Sequence, residues 1–94
     1  MKILIFSGTT EGHALCRFLS SHAICAQVFV ATTYGEAVME PLTGITVHAG
    51  RLTTLEMAAY MSAQTIVVDA THPYACEVTE LIQVACQIKQ AEYL

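Results

Sequence analysis

The feature that most constrains the fold is an apolar run that ends abruptly in polar residues and a proline. Ile66-Val67-Val68 is followed by the heptad Asp69-Ala70-Thr71-His72-Pro73-Tyr74-Ala75. An unbroken apolar run is typical of a strand buried in a parallel sheet, and proline suits the first turn of a helix because its missing N–H costs nothing there. The heptad is therefore predicted to lie at the carboxyl end of a strand, the edge where open α/β sheets bind ligands.

Short apolar segments alternate with helical patterns along the chain. Strands are predicted at Ile3–Phe6, Ala26–Ala31, Ile45–His48 and Thr65–Asp69, and helices at Thr10–Ser21, from a Thr53 cap to about Ala63, and from Pro73 to about Gln90. Strands that alternate with helices imply right-handed crossovers and a parallel sheet. The third strand alternates apolar and polar residues, which favours a sheet edge. We therefore predict an α/β, Rossmann-like parallel sheet of four to five strands with flanking helices.

The composition and the last residues indicate that this domain is truncated. Glu92-Tyr93-Leu94 resemble the start of a fifth strand that is not completed. The 94 residues are 54% hydrophobic and 13% charged, against about 45–50% and about 25% in ordinary soluble domains. Such a small domain is expected to leave apolar surface uncovered. We interpret residues 1–94 as the amino-terminal half of a longer protein, and expect the fragment to self-associate.

Charge and cysteine spacing argue against several classes of function. A net charge of −4 with four basic residues leaves no cationic stripe for nucleic acid and disfavours an anionic membrane surface. The apolar start of the chain meets a glycine loop instead of a signal-peptide cleavage site, and no stretch reaches the ~18–20 apolar residues of a membrane span. The four cysteines have no Cys-x-x-Cys spacing, so neither a disulfide framework nor a metal site is predicted. A cytoplasmic protein is expected.

A second polar loop, Ser7-Gly8-Thr9-Thr10-Glu11-Gly12, follows the first strand. Nucleotide-binding folds place their phosphate loop here, because small residues let the backbone approach a pyrophosphate and the helix N-terminus supplies N–H donors. The pattern is not G-x-G-x-x-G, and Glu11 also fits an ordinary capped helix start. No Gly-Lys-Ser/Thr sequence is present, which excludes a P-loop kinase or ATPase.

The residues after the second strand distinguish the nicotinamide cofactors. A fold selective for NAD usually has an acid there to hold the ribose hydroxyls, whereas this chain has Ala31-Thr32-Thr33-Tyr34-Gly35. Hydroxyl groups without an acid tolerate a 2′-phosphate, which indicates NADP. Arg51 is the cation near this edge and is a candidate for binding that phosphate or a substrate carboxylate; the alternative is an ordinary surface arginine.

The heptad also contains candidates for catalysis. His72 fits an acid/base group or an orienting hydrogen-bond partner, although a single histidine before a helix is more often structural. Thr71 and Tyr74 beside it favour a functional role. Asp69 either belongs to the site or caps the helix behind it.

Together these motifs resemble the precorrin-6A reductase family of cobalamin biosynthesis, including its cobalt-precorrin counterpart. The matching segments are Gly8-Thr9-Thr10-Glu11-Gly12, Ala31-Thr32-x-Tyr34-Gly35, Gly50-Arg51-Leu52 and, most specifically, the heptad that begins at Asp69. Ser7 departs from the family, which commonly has a second glycine there; serine is acceptable unless the backbone needs a positive φ. Members of the family carry a second α/β domain, which residues 1–94 lack.

The resemblance implies an NADPH-dependent reduction of one double bond of a tetrapyrrole, in which the protein orients a nicotinamide that supplies the hydride. It implies that the cofactor is contacted by Ser7, Gly8, Thr9, Thr10, Glu11, Thr32, Thr33, Tyr34 and Arg51. It implies that the substrate or the nicotinamide end is contacted by Asp69, Thr71, His72 and Tyr74. His72 and Tyr74 are the catalytic candidates, by their chemistry alone.

Two alternatives stay open. One is another Rossmann-type NADP-linked reductase. The other is a binding module that keeps its nucleotide contacts and catalyses nothing, which applies above all to the fragment. The fragment is expected to be inactive because a macrocycle with many carboxylates needs more cationic groups than Arg17 and Arg51 offer.

Overall fold

The computed structural model describes residues 2–31, 41–72 and 75–94 and has a five-stranded, all-parallel sheet with helices on both faces. The strands are β1 (Lys2–Ser7), β2 (Ala26–Val30), β3 (Ile45–Ala49), β4 (Thr65–Ala70) and β5 (Glu92–Tyr93), and the helices are α1 (Thr10–Ser21), α2 (Thr54–Ala59) and α3 (Cys76–Lys89). The predicted α/β, Rossmann-like class is confirmed. None of the helices in these ranges is long and apolar enough to span a membrane.

The strand order β3-β2-β1-β4-β5 determines where a ligand can bind. From β1 the chain builds outward through β2 to β3, then crosses to the other side of β1 to form β4 and β5. The connections that leave β1 and β4 therefore go to opposite faces, and a crevice opens between them at the carboxyl ends of these strands. The register pairs Ser7 with Ala70, so the two polar loops predicted from the sequence begin side by side.

The core consists of two clusters, one on each face of the sheet. The cluster under α2 and α3 includes Leu4 and Phe6, and the cluster under α1 includes Ile5 and Cys16. Because side chains alternate along a strand, β1 is buried on both faces, as a central parallel strand requires. The half-exposed β3 lies at an edge of the described sheet, as its alternating sequence predicts.

The boundaries of two helices differ from the prediction, and local hydrogen bonds explain both differences. The second helix ends at Ala59 instead of about Ala63, because Ser62 N donates to Thr65 Oγ1 at 2.9 Å and turns the chain into β4. The last helix begins at Cys76 instead of Pro73. Before it, Ala75, which is not helical, donates its N–H to His72 O at 2.8 Å.

The fifth strand forms and pairs in parallel with β4. Glu92 pairs with Ile66 and Tyr93 with Val67. The pairing extends to the last residue, because Leu94 N donates to Val67 O at 2.8 Å and its carbonyl accepts from Asp69 N at 3.0 Å. This extension brings the end of the chain beside Asp69, the residue that opens the heptad.

Candidate functional site

The two polar loops are joined by the side chain of Thr9. Its hydroxyl donates to Ala70 O at 2.8 Å, at the end of β4. The same oxygen accepts from Gly12 N at 3.3 Å and so caps α1. One hydroxyl therefore starts the helix after β1 and fixes this helix against the neighbouring strand.

Gly8 faces the loop after β4 across the crevice. A Cβ atom on Gly8 would lie 3.8 Å from both His72 N and Thr71 Cα, which is ordinary van der Waals contact. Its φ lies outside the left-handed region, so neither backbone conformation nor packing within the described residues requires glycine. The space beside Gly8 is thus available to a ligand that approaches the backbone.

Gly12 is different, because it packs against the protein itself. A Cβ there would overlap the Ser7 Oγ and lie 3.2 Å from Ala70 Cβ. The two glycines of this loop therefore have separate roles: Gly12 lets α1 approach the sheet, and Gly8 borders the crevice.

Ser7 holds a buried hydroxyl that has no hydrogen-bond partner among the described residues. The residue is 6% exposed, and its Oγ lies against the first turn of α1. Leaving such a group unpaired costs about 1–3 kcal/mol. The φ of Ser7 is not positive, so serine is compatible with the backbone at this position.

A polar cleft of about 530 Å³ lies between the two loops. Seven of its lining residues are predicted site residues: Gly8, Thr9, Thr10, Glu11, Asp69, Thr71 and His72. The first-turn N–H groups of α1 and the positive end of its dipole favour an anion at this place. Glu11 is exposed, and its carboxylate accepts from the Thr10 hydroxyl at 3.3 Å.

An apolar cavity of about 320 Å³ lies beside this cleft, on the face covered by α2 and α3. Its walls include Phe6 and Phe29, whose rings stack with centroids 5.0 Å apart. Its exposed lining residues include Arg51 and His72. The cleft and the cavity share Gly8, Thr71 and His72, so a ligand with both an anionic and a flat apolar part can occupy the two together.

Asp69 accepts four hydrogen bonds from the protein. Its Oδ1 accepts from Thr71 N at 3.1 Å and from Thr71 Oγ1 at 2.6 Å. Its Oδ2 accepts from Thr79 Oγ1 and from the Tyr93 hydroxyl, both at 2.8 Å. Among the described residues, Asp69 does not cap the following helix: its partners are Thr71, Thr79 and Tyr93, and the N-cap residue Ala75 makes no side-chain cap hydrogen bond.

These hydrogen bonds control the ionisation of the pair. Burial acts to raise the pKa of Asp69, but the hydrogen bonds from Thr71, Thr79 and Tyr93 outweigh it and hold this pKa below its ordinary value. Burial and the bond to Asp69 raise the pKa of Tyr93. The carboxylate is thus kept charged and the phenol protonated, each in the form that the hydrogen bond needs.

The structure brings most of the predicted site residues to one crevice, with two qualifications. Arg51 lines the apolar cavity and not the polar cleft. Thr32, Thr33, Tyr34 and Tyr74 lie outside the described residues, so their assignments stay predictions. In the described ranges, no group of three His, Cys, Asp or Glu side chains is placed to hold a metal ion.

The two residues that support Asp69 from outside the crevice, Thr79 and Tyr93, are not predicted by sequence reasoning. Thr79 lies one helical turn into α3, where a lone hydroxyl has no motif around it. Tyr93 lies on a strand of two residues, whose register cannot be deduced from periodicity. The available signal is that Tyr93 lies within Glu92-Tyr93-Leu94, the segment that resembles the start of a fifth strand.

Comparison with known proteins gives a consistent set of relatives. The family model described as precorrin-6x reductase CbiJ/CobK matches residues 2–94. The cobalt-precorrin-6A reductase of Salmonella typhimurium is 34% identical over 87 residues, which cover 90% of this chain and 33% of that protein. The enzyme of the same name from Synechocystis is 27% identical over 94 residues, which cover 98% of this chain and 36% of the relative. The chain thus spans about a third of the length of these curated relatives, and no solved structure matches it.

Proposed function

The chain belongs to the precorrin-6x reductase CbiJ/CobK family, and from this premise we propose that it is the amino-terminal, nucleotide-binding domain of an NADPH-dependent reductase. The whole protein reduces one double bond of a tetrapyrrole macrocycle, precorrin-6A or cobalt-precorrin-6A, in the cytoplasm. In this proposal a second domain, for which the greater length of the relatives leaves room, completes the substrate site.

The observation that carries this proposal is the pairing of a polar cleft with an apolar cavity at the crevice between β1 and β4. A dinucleotide has an anionic pyrophosphate and flat rings, and the two spaces match these parts in chemistry. The N-terminus of α1 suits the pyrophosphate. The open space at Gly8 supports the fit, because a ligand that approaches the backbone there displaces no side chain of the described protein.

The choice of NADPH over NADH depends on the end of β2 and on Arg51. Residues 31–35 contain no carboxylate that would repel a 2′-phosphate. Gly50 N donates to Val30 O at 2.9 Å, which ties the residue before Arg51 to the last residue of β2. We place the adenosine half of the cofactor in the apolar cavity and assign Arg51 to its 2′-phosphate.

The remaining roles follow from position in the crevice. NADPH supplies the hydride when bound. Thr71 and His72 border both spaces and contact the nicotinamide end or the macrocycle. His72, exposed at the crevice, is one candidate to deliver the proton to the neighbouring carbon, and Tyr74 is the other.

The test compares cofactor affinities in the full-length protein. We expect NADPH to bind more tightly than NADH. Arg51→Ala should weaken the binding of NADPH by about tenfold or more, because a hydrogen bond to a charged group contributes ~1.5–3 kcal/mol. NADH binding should change little. Arg17→Ala, an arginine on α1 that lines neither space, is the matched control. Equal affinities for both cofactors overturn the NADPH assignment, and failure to bind either overturns the nucleotide site.

We further propose that residues 1–94 alone bind nucleotide without turnover. Among the described residues that line the cleft and the cavity, Arg51 is the one lysine or arginine. A polycarboxylate macrocycle needs more positive charge than this. Turnover of precorrin-6A by residues 1–94 alone would overturn the proposal.

A further inference from the structure

The carboxylate of Asp69 is fully used by the protein. A carboxylate offers about four acceptor sites, and Asp69 accepts four hydrogen bonds, from one backbone N–H and three hydroxyls. A substrate group would have to displace one of them. The residue is therefore better suited to holding its neighbours than to touching a ligand.

Two of the four bonds hold Thr71. Asp69 Oδ1 accepts both from the backbone N–H and from the hydroxyl of this residue, at 3.1 and 2.6 Å. Thr71 lines the cleft and the cavity and directly precedes His72, which lines both as well. The orientation of the Asp69 carboxylate thus determines where this short connection runs along the crevice.

The other two bonds orient the carboxylate from outside the site. They come from Thr79, ten residues later on α3, and from Tyr93, twenty-four residues later on β5. Neither residue lines the cleft or the cavity. Any effect of the Tyr93 hydroxyl on the site must therefore pass through Asp69, whereas Thr79 Oγ1 also lies 3.5 Å from Thr71 Oγ1 and so contacts the positioned residue directly.

We propose that Asp69 is a positioning residue that holds Thr71 and His72 in the crevice, and that the hydroxyls of Thr79 and Tyr93 set its orientation. The inference rests on the proposed function, since it assigns Thr71 and His72 to the same reductase site. It makes β5 part of that site, although no atom of Tyr93 reaches either ligand space.

The test uses Tyr93→Phe and Thr79→Val in the full-length protein. Each variant removes one donor to Asp69 and leaves every residue that lines the crevice unchanged. We expect kcat to fall about tenfold, equivalent to ~1.4 kcal/mol, while the Kd for NADPH stays within about threefold because the loop after β1 is intact. Thr79→Ser keeps the hydroxyl and should restore kcat.

Thr65→Val is the matched control. Thr65 is a buried hydroxyl on the same strand, bonded to Ser62 N at 2.9 Å at the opposite end of β4. This variant should lower the Tm and leave kcat unchanged. If the hydrogen bonds to Asp69 were purely structural, all three variants would instead lower the Tm and leave kcat unchanged.

A second readout does not require activity. The imidazole Cε1–H resonance of His72, identified by its loss in His72→Gln, should move in Tyr93→Phe and Thr79→Val and stay in place in Thr65→Val. Unmoved resonances in the first two variants overturn the positioning role even if the protein proves inactive. A parent protein that fails to reduce the macrocycle, while the resonances move as expected, overturns the proposed function and leaves the positioning role standing.

Discussion

At the scale of single residues, the two glycines of the loop after β1 have different expected roles: Gly8 in ligand binding and Gly12 in folding. Gly8→Ala adds a methyl group that meets only ordinary contacts in the protein but projects into the crevice. We expect it to weaken NADPH binding at least tenfold with an unchanged Tm, because the ligand loses its approach to the backbone. Isothermal titration and thermal unfolding of the same sample check this.

Gly12→Ala should behave in the opposite way. Its methyl group would overlap the Ser7 hydroxyl and crowd Ala70, and overpacking a buried site costs about 1–3 kcal/mol. The free energy of unfolding, measured in urea, should fall by this amount. If Gly8→Ala is instead the more destabilising of the two substitutions, the assignment of the two roles is contradicted.

Asp69 should also make stability depend on pH. Its pKa in the folded protein lies below the ordinary value of 3.8, so its stabilisation is fully present above that value and is lost as pH falls through the lower folded pKa. Asp69→Asn should therefore lower the free energy of unfolding most at pH 5 and above, and the difference from the parent should shrink toward pH 3. Urea titrations across this range measure it, and a pH-independent difference would speak against a charged, hydrogen-bonded Asp69.

The limits of sequence reasoning are clear at Asp69. The heptad predicts that this residue lies at the ligand edge, because an apolar strand and a helix flank it. Its actual partners depend on the register between β4 and β5, and that register results from tertiary packing of a two-residue strand. Ser7 is the converse case: its place was predicted, but its buried, unpaired hydroxyl depends on how closely α1 approaches the sheet at Gly12.

At the scale of elements, the six-residue helix α2 depends on its capping box. Thr53 Oγ1 accepts from Glu56 N at 3.2 Å, and Glu56 Oε1 accepts from Thr53 N at 2.8 Å. Isolated helices this short are not stable in water, so the loss of a cap should reduce the free energy of unfolding by the whole contribution of that cap. We expect Thr53→Ala to lower the free energy of unfolding by about 1 kcal/mol, as measured in urea.

The control for this helix is Glu56→Gln, which keeps an acceptor for the Thr53 N–H and should have a smaller effect. A larger loss from Glu56→Gln than from Thr53→Ala would contradict the capping explanation. The helix also carries Met57, which lines the apolar cavity, so Thr53→Ala is a useful test of whether this wall affects NADPH binding.

Elements with strong local signals were predicted most accurately. The bounds of α1 match the prediction because Thr9 caps the helix and an apolar stripe runs along it. The carboxyl-terminal end of α2 and the start of α3 differ from the prediction because single hydrogen bonds, from Ser62 N to Thr65 Oγ1 and from Ala75 N to His72 O, form there. Such bonds depend on the path of the chain and leave no periodic trace in the sequence.

At the scale of the whole molecule, apolar side chains remain on the surface of the described chain. The exposed large hydrophobic residues are Phe18, Ile24, Leu55, Val84, Ile88 and Leu94. Val84 and Ile88 lie one turn apart on α3 and are 44% and 53% exposed. We expect residues 1–94 to self-associate in sedimentation velocity runs, because exposed apolar patches and open sheet edges favour contacts between chains.

Substituting both Val84 and Ile88 by Gln should reduce this association if the face of α3 is responsible. Thr46→Gln, on the exposed side of the edge strand β3, is the comparison variant. Monomers at every concentration of the parent chain would refute the prediction.

The central position of β1 also has a consequence for biosynthesis. Thr9 and Ala70, which close the crevice, are separated by 61 residues, and β1 is synthesised well before β4, its neighbour on one side. Pairings this distant in sequence form slowly. Until β4 emerges, the loop after β1 in the nascent chain has no opposite wall, and the apolar strand β1 has an open edge. A ligand of the crevice can therefore stabilise this fold by mass action only after β4 has been translated, so the earlier stages of synthesis depend on the chain's own contacts.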